Sequence, residues 1–168
     1  SDILAENPNL VIIATGGLPN TSILDAEDEL VVSTWDILSG DVAPGTDVLV
    51  YDDNGGHPAL QAAEFLADAG SKVEIVTPER FFAPEIGGLN HVAYARTFQD
   101  RGVKLTINTR VGAVERDGNT LVAKLASDYT DLDENRRVDQ VVVEHGTLPL
   151  DDLYFELKPN SVNGGEVD

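Results

Sequence analysis

The residues with the clearest capacity for chemistry are the consecutive Asn54-Gly55-Gly56-His57-Pro58-Ala59. Set on the pattern Gly-x-Gly-x-x-Gly, Asn54 stands at the first glycine, Gly56 at the second and Ala59 at the third. The second position wants no side chain, because a diphosphate approaches the backbone there. The third lets a helix pack closely on a strand, which alanine also permits. Asparagine is one of the few other residues that tolerate positive φ. Gly55, Gly56 and the first amides of a helix opening at His57 would gather a diphosphate at a positive helix end; the alternative is a tight turn that holds nothing. His57 either touches a phosphate or is simply solvated. Asp52 and Asp53, just upstream, would oppose an anion; they are read as acceptors for a helix or loop N–H, with no acid–base pair between them. Downstream, Thr77-Pro78-Glu79-Arg80 stands where a ribose would be read. Glu79 would hydrogen-bond a 2′-hydroxyl and favour NAD, whereas Arg80 would accept a 2′-phosphate and favour NADP. The two point in opposite directions, and each can equally be an exposed loop charge.

A strand–turn–helix–strand unit over residues 47–80 must position these groups. Val48-Leu49-Val50-Tyr51 is a near-continuous apolar run, the mark of a strand buried on both faces. After the turn, Ala59, Ala63, Leu66 and Ala69 pattern a helix over 57–69 that Gly70 stops. Val73 to Val76 closes the unit as a second strand, with Glu74 read as structural inside it. This is the plan of a mononucleotide-binding βαβ, about 30 residues long.

Around that unit the sequence predicts a polar tail over 1–9 and a buried strand at Leu10-Val11-Ile12-Ile13-Ala14 running into Thr15-Gly16-Gly17-Leu18-Pro19. A loop follows over 20–28, then a short strand at Leu30-Val31-Val32. Ser33 or Thr34 caps a helical piece from Trp35 to Leu38, ended by Gly40. Beyond Pro78, residues 79–88 read as loop. Leu89, Val92, Ala95 and Phe98 recur at intervals of three, predicting a helix over 88–101 stopped by Gly102. Val103 to Ile107 and Arg110 to Glu115 are strands, and Asp117-Gly118 is a hairpin signal pairing 110–116 with 119–125. Residues 127–136 read as a loop or hairpin tip. Val138 to Glu144 is a last buried strand, before His145-Gly146-Thr147-Leu148-Pro149 and a tail with an apolar Leu153-Tyr154-Phe155 and Asn163-Gly164-Gly165. The sheet is expected to be parallel at 48–52, 73–76, 103–107 and 138–144. The fold class is α/β: a Rossmann-like parallel sheet with flanking helices, plus an antiparallel β-meander.

Composition narrows the partners. Thirty acidic against 11 basic residues give a net charge of −19, which repels nucleic acid and an anionic membrane surface. With few lysines, such a surface also suits high salt, where self-repulsion is screened. No apolar run approaches a membrane span and no signal-like start is present, so a cytoplasmic protein is expected. Without cysteine the chain offers no disulfide and no thiolate metal site. His91 and His145 fit no metal spacing, and neither a Gly-x-Ser-x-Gly elbow nor a phosphate-loop lysine occurs. The absence of methionine, even at position 1, fits either initiator removal or a piece of a longer protein.

Two strand ends carry similar words, IIATGGLP near the start and VVVEHGTLP near the end, and they bracket the βαβ unit and the meander. This resembles the pyridine-nucleotide domain of two-dinucleotide-domain flavoprotein oxidoreductases. Trp35-Asp36-Ile37-Leu38-Ser39-Gly40, the DDNGGHPALQAAEFLADAG turn and helix, and GTLPLDDLYFEL resemble more narrowly the C-terminal region of the trimethylamine dehydrogenase, histamine dehydrogenase, 2,4-dienoyl-CoA reductase and N-methyl-amine demethylase group. The resemblance implies three segments: 1–46, a crossover strand and linker from a neighbouring FAD-type domain; 47–149, an NAD(P)-binding-like Rossmann domain; and 150–168, a truncated return segment. It implies that Gly146 and Thr147 back the nicotinamide half, and that Thr15, Gly16 and Gly17 form the crossover beside FAD. FMN in a barrel and an iron–sulfur cluster are implied only for the full-length protein, whose remaining domains, and an electron carrier, would be the partners. Such a domain passes electrons between NAD(P)H and FAD, or is a degenerate module with a structural or docking role. The isolated chain is expected to be inactive.

Overall fold

The computed structural model describes residues 2–22, 31–131 and 133–162. Leu30, most of the 20–28 loop and Asn163-Gly164-Gly165 lie outside the described residues. In chain order the elements are α1 (Asp2–Ala5), β1 (Gly17–Pro19), β2 (Val31–Ser33), α2 (Thr34–Ser39), β3 (Asp47–Asp52), α3 (His57–Asp68), β4 (Lys72–Val76), α4 (Gly88–Arg101), β5 (Lys104–Thr106), β6 (Arg110–Asp117), β7 (Thr120–Ala126), β8 (Asp133–Val138), β9 (Gln140–Glu144), β10 (Thr147–Pro149) and α5 (Asp152–Leu157), the last followed by a 3₁₀ turn. By contacts the chain forms two units, Pro19–Gly146 and the two ends together.

In the larger unit, five strands form a sheet in the order β2-β9-β3-β4-β5, every pair parallel. The run Val48-Leu49-Val50-Tyr51 is apolar throughout because both faces of β3 are covered. Leu49 and Tyr51 pack with Val141, Val143 and the meander residues Val111, Val114, Ala123 and Leu125. Val48 and Val50 pack with Leu60, Ala63 and Leu66 of α3, Ile37 of α2 and Phe98 of α4. Leu60 and Leu66 are fully buried, each contributing about 1.5–3 kcal/mol. The meander β6-β7-β8 is antiparallel, with a register shift between Val111 and Ala113. Glu74, 14% exposed, pins it to the sheet: Oε1 accepts from Lys104 Nζ at 2.8 Å and Thr106 Oγ1 at 2.7 Å, and Arg136 of β8 stands 3.3 Å from Oε2. Burial raises the Glu74 pKa, but these hydrogen bonds and the Lys104 and Arg136 charges outweigh it, and the net shift is downward.

Local chemistry sets several boundaries. Ser33 caps α2 in a reciprocal capping box with Asp36, and Gly40 closes the helix in the left-handed region at φ 83°. The hairpin at Asp117-Gly118 forms between β6 and β7 as expected, with Gly118 at φ 63°.

Three expectations need correction. Leu10 to Ala14 is not a buried strand: it has no regular structure, and Leu10 and Ile12 are 64% and 82% exposed. An apolar run becomes a strand only beside a neighbour, and the sheet in that unit pairs β1 with β10 instead. Residues 127–136 are not all loop, because β8 begins at Asp133. Asp133, Glu134, Asn135 and Arg137 are exposed and the half-buried Arg136 is itself charged, so no hydrophobic alternation announces it. The expected single strand 138–144 is divided: Val138 ends β8, Asp139 bends to exchange backbone and side-chain hydrogen bonds with Asp47, and β9 begins at Gln140. The α4 helix forms over the expected residues, but of Leu89, Val92, Ala95 and Phe98 only Phe98 is buried. Steps of three drift about 60° around a helix of 3.6 residues per turn, so such a stripe leaves the core within two steps.

Candidate functional site

The chain runs from β3 through α3 to β4 on one side, but reaches β9 on the other side of β3 only after β5 and the meander. Strand order therefore reverses between β9 and β3, and the crevice outside their carboxyl ends is where an open α/β sheet receives a ligand. The Asn54-Gly55-Gly56-His57 turn, Asp52, Asp53, Glu144, His145 and Gly146 all stand at that end.

Asp52 and Glu144 are register partners on adjacent strands, and both are buried. Asp52 Oδ1 accepts the N–H of Gly55 at 2.8 Å and of Asn54 at 3.2 Å, whereas its Oδ2 is buried without a hydrogen-bond partner. Burial pushes the Asp52 carboxyl up to about 6; the turn N–H groups pull it down, and the Glu144 and Asp53 charges push it up. Glu144 accepts from Thr34 Oγ1 at 2.5 Å, from the Gly146 N–H at 3.0 Å and from Asn54 Nδ2 at 3.3 Å. The Asp53 N–H donates to the Glu144 carbonyl at 3.0 Å. Its carboxylate stands 2.7 Å from His145 Nδ1 and 4.0 Å from an Arg110 guanidinium nitrogen. Burial, followed by the Asp53 charge, pushes the neighbouring Tyr51 hydroxyl up to about 12.

The glycines divide their work. Gly55 sits at φ 73°, and a Cβ there would come within 2.6 Å of Pro84 Cγ, so only glycine fits. The 79–88 loop braces it, with the Glu85 N–H donating to the Gly55 carbonyl at 3.2 Å. Gly56 is extended, at φ −97° and ψ −169°, and a Cβ would meet nothing nearer than 3.5 Å. Its bare backbone is an open approach to the α3 terminus, which no side chain caps. Asn54 is not the positive-φ residue of the turn; it contributes its side-chain amide to Glu144 instead.

The remaining sequence candidates scatter. His57 Nδ1 lies 3.2 Å from the Tyr94 hydroxyl, on the α4 side. Ala59 is buried under the turn, allowing the close helix packing its position requires. Glu79 and Arg80 are exposed just after β4. Gly146 lies beside Asn54, 3.8 Å from Asn54 Oδ1 to a Cβ built on it. Thr15, Gly16, Gly17 and Thr147 belong to the unit formed by the chain ends. There Thr15 donates to the Leu150 carbonyl, the Gly16 carbonyl accepts from the Leu150 N–H at 2.9 Å, and a Cβ on Gly17 would stand 2.6 Å from the Leu148 oxygen. The sequence reading missed Glu144 and His145 as members of the crevice. The signal was present: two apolar strands each end in a polar pair, Asp52-Asp53 and Glu144-His145.

A dinucleotide fits this end of the sheet. The helix start is uncapped, Gly56 is bare and Asp53 already has His145 as a partner, although Asp52 occupies the Asn54 and Gly55 amides. Among the described residues no cluster of His, Cys, Asp or Glu could hold a metal ion, and no helix is long and apolar enough to cross a membrane.

Parallel sheet, glycine turn and switch-point crevice together define a Rossmann-like domain. Residues 7–168 match the profile of the pyridine nucleotide-disulphide oxidoreductase family, and the chain belongs to that family. It is 59% identical over 165 residues to a probable N-methylproline demethylase of Rhizobium meliloti (strain 1021), covering 98% of this chain and 24% of the relative. It is 44% identical over 168 residues to the N,N-dimethylglycine/sarcosine dehydrogenase of Chromohalobacter salexigens, covering 96% and 24%. The structure of 6-hydroxypseudooxynicotine amine oxidase from Pseudomonas geniculata N1 superposes with a TM-score of 0.81 at 25% identity, over 97% of this chain and 25% of that one. The chain thus spans about a quarter of the length of the relatives it matches, and is a domain of the kind carried by larger flavin-dependent oxidoreductases.

Proposed function

We propose that this chain is the pyridine-nucleotide domain of a flavin-dependent amine dehydrogenase or demethylase, and that its crevice between β3 and β9 holds NAD(P)H. The observation that carries this is the uncapped start of α3 at the switch point, with Gly56 bare beside it. Helix N–H groups there carry about half a positive charge, and Gly56 and His57 would seat the diphosphate on them, with Gly55 shaping the turn beneath it. Glu79 and Arg80, at the end of β4, would meet the adenosine ribose. A reduced nicotinamide supplies hydride to a flavin. The chain's own residues bind and orient: Asn54 and Gly146 are tied through Glu144, which fixes the floor of the crevice. In the intact enzyme the partners are the FAD domain, a barrel carrying FMN and an iron–sulfur cluster, and an electron carrier, all in the cytoplasm.

A second reading rests on one observation, that Asp52 already consumes the Asn54 and Gly55 amides. Under it the domain is a degenerate module that positions its neighbours and holds no nucleotide. Calorimetric titration of the chain with NADH and NADPH at fixed salt separates the two. Saturable binding that Gly56→Val abolishes supports the nucleotide domain, and no heat with either nucleotide supports the degenerate module.

A further inference from the structure

The ends of three neighbouring strands lie side by side in the order β4, β3, β9. The groups that follow them are Glu79-Arg80, Gly55-Gly56 and His145-Gly146. A dinucleotide with its ribose-reading group after β4 and its diphosphate over the β3 turn extends its other half over the end of β9. His145 stands there, with its side chain 34% exposed and Nδ1 2.7 Å from Asp53 Oδ2. An ionised carboxylate only accepts, so this contact places a ring proton on Nδ1, and in the neutral form of the ring the lone pair is then on Nε2. Asp53 is itself fixed, because its side chain is 15% exposed and its N–H is bonded to the Glu144 carbonyl.

Resting on the nucleotide reading above, we infer that His145 is a ligand-contact residue, its Nε2 accepting a hydrogen bond from the nicotinamide half of the dinucleotide, with Asp53 as the positioning residue. The acceptor character decides which half. A diphosphate oxygen also only accepts and has nothing to give a lone pair, whereas the nicotinamide riboside offers ribose hydroxyls and a carboxamide N–H₂. The charges facing His145 agree. Asp53 at the end of β3 and Glu144 on β9 repel a diphosphate from this end of the crevice, while Arg110 of β6 stands by Asp53 and is drawn outward to Asp128. The carboxylates that would weaken diphosphate binding therefore sit beneath the part of the ligand that carries no negative charge.

The test compares NADH with ADP, which contains the adenosine and diphosphate but no nicotinamide. The full chain and its His145→Ala, His145→Gln, Asp53→Ala and Asp53→Asn variants are titrated with each at fixed salt and pH 7.5. His145→Ala is expected to weaken NADH about tenfold, the loss of one hydrogen bond, and to leave ADP unchanged. His145→Gln, whose amide oxygen also accepts, should recover most of that loss. Asp53→Ala should weaken NADH but not ADP and remove the Nδ1–H tautomer from the ¹⁵N spectrum of His145; Asp53→Asn should restore both. Equal losses for NADH and ADP, or unchanged NADH affinity in His145→Ala, overturn the inference and leave the nucleotide reading standing. Failure of the unmodified chain to bind either ligand overturns that reading, and the inference with it.

Discussion

Replacing Asp52 by asparagine removes a carboxyl whose folded pKa is about 6 against an ordinary 3.8. The shift is upward, so the folded state holds the proton more tightly than the unfolded chain does. The group's contribution is most favourable below the unfolded value and is lost as pH rises through the folded one. A difference of about two units at ~1.36 kcal/mol each amounts to about 3 kcal/mol, fully expressed above pH 6. The cause is visible: Asp52 is buried, its Oδ2 has no partner, and Glu144 and Asp53 carry like charge beside it. Asparagine keeps an oxygen for the Asn54 and Gly55 N–H groups and carries no charge at any pH. Its amide N–H₂ adds a cost that does not vary with pH, so only the pH-dependent part of the comparison is read. Urea unfolding of both proteins between about pH 3.5 and 7.5, with slopes held to a common value, should show the difference moving in the variant's favour by about 3 kcal/mol. The other carboxylates are common to both proteins and cancel. A difference that stays flat across that range would refute the claim that burial raises the Asp52 pKa in the folded chain.

Gly55→Ala should cost about 1–3 kcal/mol by urea unfolding, from its positive φ and the Pro84 contact; Gly56→Ala should cost under about 1 kcal/mol. Gly56→Val should keep a wild-type circular dichroism spectrum while losing NADH affinity, and unchanged affinity would place the ligand elsewhere. Glu74→Gln should destabilise the domain by about 1 kcal/mol at neutral pH, because the half-buried Arg136 and the exposed Lys104 lose the counter-charge that the largely buried Glu74 supplies. Since the folded Glu74 pKa is lowered, that gap is present above the ordinary glutamate pKa and should close as pH falls through the folded value. The chain alone, given NADH and a dye acceptor, should turn over no faster than a blank; a rate above the blank would mean that hydride leaves this domain without a flavin.

Where a residue's role follows from its own strand or turn, the sequence showed it. The apolar run 48–51, the Gly70 and Gly102 stops and the Asp117-Gly118 hairpin are local signals, and each element formed within a residue or two of its expected place. Roles set by a neighbour distant in the chain were hidden. Asp52 and Asp53 read as obstacles to an anion, because nothing local says that Asp52 turns inward onto two amides or that the ring of His145, ninety-two positions beyond Asp53, meets its carboxylate. Glu144 looked like the end of a strand; its three donors come from residues 34, 54 and 146. The exposed Leu10-to-Ala14 run shows the converse, since a strand-like composition without a pairing partner stays irregular. β8 shows pairing without composition: six mostly charged or polar residues become a strand because β7 offers a complete ladder.

β9, the strand nearest the end of the larger unit's chain, lies in the interior of its sheet, between β2 and β3. During synthesis β3, α3, β4, α4 and β5 can associate as they emerge, but β2 has no sheet neighbour until residues 140–144 arrive. A ribosome-bound or truncated chain ending before Gln140 therefore presents two facing unpaired edges, those of β2 and β3, one strand's width apart. A gap of that shape is a receptor for an extended peptide. A chain ending at Asp139 should accept a separate peptide carrying Gln140–Gly146 and recover its native spectrum only with it, which makes this domain a candidate for a two-piece reporter whose halves join through backbone pairing and the burial of Val141, Val142 and Val143.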